Sequence, residues 1–189
     1  SYYVNTKLMA TTGVYFEMTD NIDLSDYDNW TPIGSDRNQF DGVFDGDGYV
    51  IDNLTSLRGG LFGTVCQNAV IKNVGVASGE IGKENTYTSF LGGIAKWSNG
   101  ADFINCWNGA DIYGSGYMGG IVGTVRDGGK SNITGCYNVG SLYASSGHTG
   151  GIVGHLDTTR RDTSVEVTID NCYNLGSING MYSLGGIVG

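Results

Sequence analysis

One five-letter string limits what this chain can fold into. Gly-Gly-Ile-Val-Gly stands at residues 119–123, 150–154 and 185–189, with variants at 59–63 (Gly-Gly-Leu-Phe-Gly) and 92–96 (Gly-Gly-Ile-Ala-Lys). The second glycines fall at 60, 93, 120, 151 and 186, at intervals of 33, 27, 31 and 35. Recurrence at roughly 20–50 residues marks a repeat architecture, in which each unit buries its apolar face only by stacking on its neighbours.

A second motif runs in phase with the first: apolar, variable, Asn or Gly, then Leu, Val or Cys. It reads Ile51-Asp52-Asn53-Leu54, Ile71-Lys72-Asn73-Val74, Phe103-Ile104-Asn105-Cys106, Ile133-Thr134-Gly135-Cys136 and Ile169-Asp170-Asn171-Cys172. The 20 residues from Ile51 to Ile71 predict that one coil can close in that length, with loops in the longer units. Each unit then has one grammar: a short strand, an Asn/Gly turn, a second short strand near Ile112, Leu142 or Ile178, and a glycine-bounded strand. A lone unit cannot hold itself. Burying an Ile or Val side chain is worth about 1.5–3 kcal/mol, against about 1–2 kcal/mol of backbone entropy for every ordered residue.

With 33 Gly but 1 Pro in 189 residues, collagen is excluded, and an apolar share of 40% against 15% charged excludes disorder. No apolar run is long enough to span a membrane as a helix, so direct membrane insertion is not expected. No leader is visible at Ser1, as for a secreted parent that has lost it or for an internal fragment, and the stop in mid-repeat at Gly189 favours the fragment. Residues 1–52 carry ten acids against Lys7 and Arg37, or −8 of the formal net charge of −9. Nucleic acid is excluded as a partner of such a surface.

Residues 1–48 read as an N-terminal cap and first coil, with strands in Val14–Met18 and Ile22–Leu24 and an edge or turn at Pro32. Residues 49–189 read as the solenoid repeats. The fold class expected is all-β: a solenoid, namely a right-handed parallel β-helix, its hand taken from the general crossover preference. In-register stacking predicts two internal ladders. Cys106, Cys136 and Cys172 form a buried, reduced ladder continuing Val74 and Leu54, because side chains stacked one strand apart point the same way and suit a disulfide poorly. Asn108, Asn138 and Asn174 align at a turn, where amides can bond along the stack.

Binding candidates follow from alternation. Trp107, Tyr137 and Tyr173 each follow an inward residue and so face outward, as a stripe suited to sugar rings or protein anchors. Residues 82–90, 97–102, 126–132 and 155–166 read as loops, and the last, with His155, Arg160 and Arg161, is the first choice for a contact loop. The Gly-x-Gly-x-x-Gly at 114–119 runs into a strand pattern rather than a helix, so it is no dinucleotide site. Residues 123–131 resemble a phosphate loop one residue too long. Asp41, Asp45 and Asp47 form the one compact acidic cluster. They support the alternative of a polysaccharide-active β-helix lyase or hydrolase, or a calcium site at Asp45 and Asp47, although the full EF-hand pattern is absent. No other cofactor is expected.

The in-phase pair, Gly-Gly-Ile-Val-Gly with a preceding Cys-Tyr-Asn-x-Gly-Ser-Leu/Ile, resembles the GLUG-motif repeats over residues 14 to 189. Those repeats occur in large bacterial surface proteins and ahead of the catalytic region of immunoglobulin A peptidases. Trp30–Gly34 and Phe44–Leu54 resemble the leader before them. Lys96 in place of the last glycine, and the missing Cys and Tyr after Ile71, are departures. The resemblance implies a secreted or wall-attached bacterial protein at the cell surface. It carries over no catalytic site, and the function expected of the chain is that of a non-catalytic adhesin or stalk segment whose partners are a host glycan or extracellular protein and the other domains of the parent chain.

Overall fold

The computed structural model describes residues 11–84, 86–126, 130–157 and 166–189, and among them there is no helix. The coil over residues 102–125 shows the plan. Its strands are Asp102–Ile104, Trp107–Asn108, Asp111–Gly114, Met118–Gly119 and Val122–Val125, and they define faces one to five. Each strand pairs in parallel with its counterpart one coil away, giving five parallel sheets wound as a β-solenoid. Face one stacks Tyr15–Glu17, Val43–Asp45, Val70–Lys72, Asp102–Ile104, Lys130–Thr134 and Glu166–Asp170. Val43–Asp45 and Val50–Asp52 belong to one coil, resting on the strands Tyr15–Glu17 and Ile22–Asp23 of the preceding coil.

The core is a set of apolar rows along the stack. Phe44, Ile71, Phe103, Ile133 and Ile169 align on face one, and Ile81, Ile112, Leu142 and Ile178 on face three. Near the N-terminal end three phenylalanines widen the fill, with Phe62 centred 5.1 Å from Phe40 and 5.3 Å from Phe44. No coil owns a complete core, which is the physical reason the units fold only as a stack.

The register corrects the twenty-residue coil. Phe44 lies opposite Ile71, while Ile51 lies opposite Val76, and Leu54 pairs with Gly79 rather than extending the cysteine row. The row below Val74 therefore continues to Tyr49, the residue before Val50. What Ile51–Leu54 shares with the other copies is a corner. Asn53, Asn73, Asn105 and Asn171 have φ of 58°, 53°, 52° and 52°, and Gly135 has 65°. Asn and Gly tolerate that left-handed conformation, so the motif marks a turn of the backbone and not a fixed place in the coil.

The glycines of Gly-Gly-x-x-Gly serve a different need. None of residues 119, 120 and 123 has a positive φ. A Cβ on Gly120 would sit 2.2 Å from the Gly151 carbonyl oxygen and 2.5 Å from Asn138 Cβ. Gly93 faces Asn108, and Gly151 faces Asn174, in the same way. At Gly93, Gly120 and Gly151 the second glycine of the corner thus makes room for the asparagine of the next coil, and this contact is why the two sequence motifs run in phase there.

Candidate functional site

The asparagine row lies inside the solenoid. Asn108 and Asn138 are fully buried. Asn108 Nδ2 donates to Asn138 Oδ1 and Asn138 Nδ2 to Asn174 Oδ1, each at 2.8 Å. The other amide hydrogen of each goes to the carbonyl two residues on, in Ala110, Gly140 and Gly176. Cys106 and Cys136 are buried and Cys172 partly so, and all are free thiols. Their sulfurs lie 3.3–3.5 Å from strand carbonyls, as Cys106 to Ile71 and Cys172 to Ile133. Thiol contact with Cys106 and burial push the Cys136 pKa far up, so no reactive thiolate forms there.

The aromatic stripe lies on the outer side of face two. Trp107 and Tyr137 stack with centroids 5.6 Å apart, and Tyr137 and Tyr173 at 5.0 Å, all within 2° of parallel. The column begins over Gly75, where a Cβ would strike the Trp107 ring. It ends at Tyr173, 47% exposed. The rings largely cover one another and leave edges and one open face to solvent.

Asp45 is consumed locally. Lys72 Nζ lies 2.7 Å from its carboxylate, the Tyr15 hydroxyl donates at 2.6 Å, and Asn73 Nδ2 and the Asp47 amide donate at 3.0 Å. Lys72 above all, then Tyr15, holds the carboxyl far below the usual carboxylate range. A group so held carries no proton to donate near neutrality, and its acceptor positions are filled by protein donors. Asp47 is exposed, in a left-handed turn at φ 48°. Asp41 accepts from Thr12 and is anchored by its own amide to Thr11 Oγ1. Among the described residues no group of three or more His, Cys, Asp or Glu is placed to hold a metal ion.

The beginnings of two expected loops are strands. Trp97, Ser98 and Asn99 belong to Ala95–Asn99, and His155 and Leu156 to Val153–Leu156. Their polar letters misled because Ser98 turns inward, its hydroxyl 3.0 Å from that of buried Ser131. Lys130–Asn132 likewise begins a strand, whereas 82–90 is mostly loop. Arg160 and Arg161 lie outside the described residues.

These corrections expose a place that the motifs did not mark. Two residues before the first glycine of the three middle corners stand Phe90, Tyr117 and His148; five after it stand Trp97, Thr124 and His155. The chain folds back at the glycines, so these flanks face each other outside the corner. Phe90 and Tyr117 are 5.2 Å apart, Phe90 and Trp97 5.4 Å, and Tyr117 and His155 4.2 Å. With Thr124, Arg126 and Asp157 they line a depression of about 240 Å³. Trp97 Nε1 and Thr124 Oγ1 are buried there without a hydrogen-bond partner. Arg126 lies 3.8 Å over the Trp97 ring and is paired with Asp36 at 3.0 Å. Burial, then repulsion from His148, lowers the His155 pKa. Reading the residues at fixed offsets from each glycine pair would have found this set.

No family model matches the chain. A relative from Evansella cellulosilytica that carries the name of a Gly-rich membrane protein is 31% identical over an 80-position alignment that covers 37% of this chain and 9% of the relative. A solved structure from Bacteroides ovatus that carries the name of an immunoglobulin A1 protease superposes with a TM-score of 0.67 at 23% identity. It covers 96% of this chain and 66% of that one. The likeness to that structure shows a shared fold. The match spans less than a tenth of the length of the Evansella protein.

Proposed function

We propose that this chain is a non-catalytic module of a bacterial surface protein, an adhesin or stalk segment that presents a binding face to a host glycan or extracellular protein. The carrying observation is the outward column Trp107–Tyr137–Tyr173, which is held rigid by the in-register stack and open to solvent at Tyr173. Aromatic rings of this kind anchor protein and ligand contacts at little entropic cost. The motifs shared with GLUG repeats support the reading. So do the names of the two relatives, a membrane protein and a protease of an extracellular antibody, which fit a cell-envelope or extracellular location. The test is binding of the 189-residue chain to immobilised glycans, mucins and matrix proteins, beside Tyr137→Ala/Tyr173→Ala. Saturable binding that falls in the double variant is expected. No binding by a folded wild-type chain would leave a passive stalk.

A further inference from the structure

The outer flank of the glycine corner differs from the aromatic column in shape and in charge. The column is a closed stack, whereas the flank is concave and holds buried polar atoms with nothing to bond. Thr124 is 2% exposed and its hydroxyl has no partner, and the Trp97 indole N–H is likewise buried without an acceptor; both residues line the same enclosure. An unmade hydrogen bond at a buried group is costly, so such a site favours a ligand that supplies oxygen atoms. Its walls are Phe90, Tyr117 and His155, which suit an apolar ring face. The volume lies just under the roughly 300 Å³ at which small-molecule pockets begin, enough for one ring-sized unit.

Trp97 also lines a second depression of about 280 Å³, shared with Arg58 and Lys96. Lys96 Nζ lies 4.1 Å over the Trp97 ring. Burial, with Arg126 and Arg58 adding repulsion, holds the Lys96 ammonium below its usual pKa, and Asp36 acts the other way. That Asp36 is already paired with Arg126. A chain of net charge −9 therefore gathers three cations around one tryptophan. Asp157 lines the first depression and Asp36 the second, so each holds one carboxylate beside its cations.

We propose that these two depressions, which share Trp97, together form a groove that binds a carboxylate-bearing saccharide. One sugar ring sits against Tyr117 and His155; a small side-chain shift uncovers Trp97 Nε1 and Thr124 Oγ1 to its oxygens, and its carboxylate is reached by Lys96 and Arg58. Ammonium and guanidinium donors match a carboxylate, and the partly dry setting strengthens the pairing. The assignment rests on reading the chain as a binding module, but uses none of the residues of the aromatic column.

The experiment is calorimetric titration of the chain with 3′-sialyllactose and tetragalacturonate as acidic probes, lactose and maltotetraose as neutral ones, and a short polyglutamate peptide. At least one acidic saccharide should bind at least about tenfold more tightly than the neutral sugars and the peptide, as expected for a charged hydrogen bond. Which acidic probe binds separates a sialoside from a uronate. Trp97→Phe, which keeps the ring and removes the N–H, should weaken binding about threefold to tenfold, and Lys96→Met about tenfold or more, at unchanged thermal midpoint. Equal binding of neutral sugars or of the peptide, no acidic binding, or binding indifferent to both substitutions would overturn the proposal. If the saccharides fail while mucin or matrix protein still binds through Tyr137 and Tyr173, the groove is wrong and the module reading stands.

Discussion

The two sides of one corner follow opposite rules. Inside the Gly-Gly-x-x-Gly turn, three successive corners repeat the same contact: Gly93, Gly120 and Gly151, without side chains, against Asn108, Asn138 and Asn174. Outside it, the same turn carries Phe90 with Trp97, then Tyr117 with Thr124, then His148 with His155. The inner contact tolerates no change, because every coil must accept the next at one spacing. The outer flank is free of that demand, and there the chain holds unpartnered polar atoms and clustered cations. A repeat of this kind keeps its stability where it is regular and its chemistry where it is not.

The largest expected break is on the inside. Gly120→Ala places a methyl against backbone and Asn138, where neither can yield, and should cost about 3 kcal/mol or more in denaturant unfolding. Gly186→Ala, at the same motif position but with nothing within 4 Å, should change stability by less than about 0.5 kcal/mol in this chain. Asn138→Ala comes next. It strands the Gly140 carbonyl and both neighbouring amides, for about 2–4 kcal/mol.

Asp45→Asn should cost about 2 kcal/mol near neutral pH, since it leaves Lys72 without its counter-ion. The pH dependence has a definite sign. The folded carboxyl pKa is depressed, so its contribution is complete above the unfolded value of about 4 and disappears as pH falls below it toward the folded value. Asp45→Asn should therefore flatten the acid limb of a stability–pH curve recorded by circular dichroism. The smallest effect belongs to the open end of the aromatic column. Tyr173→Ala removes one stacked pair and should cost about 0.5–1.5 kcal/mol.

The sequence disclosed the inside of the corner and hid the outside. Stacking, the free cysteine row and the alignment of Asn108, Asn138 and Asn174 could be read from letters that recur at one register. The coil length misled because Asn53 makes the same left-handed turn as Asn73 at another corner, and a local motif cannot report register. Ser98 and Ser131 passed for loop residues because pairing two hydroxyls in the interior leaves no trace in a hydropathy pattern. Trp97 was lost with them. Its neighbours in space come from other coils, and nothing in their types repeats.

The most direct test of the account is side-chain amide exchange by nuclear magnetic resonance. Asn108 and Asn138 donate every Nδ2 hydrogen inside the stack, whereas Asn53 donates to Asp23 at an exposed corner. After transfer to deuterated water, the Asn108 and Asn138 side-chain signals should persist long after that of Asn53 has vanished. Loss of all three together would contradict a buried asparagine ladder locked by the glycines.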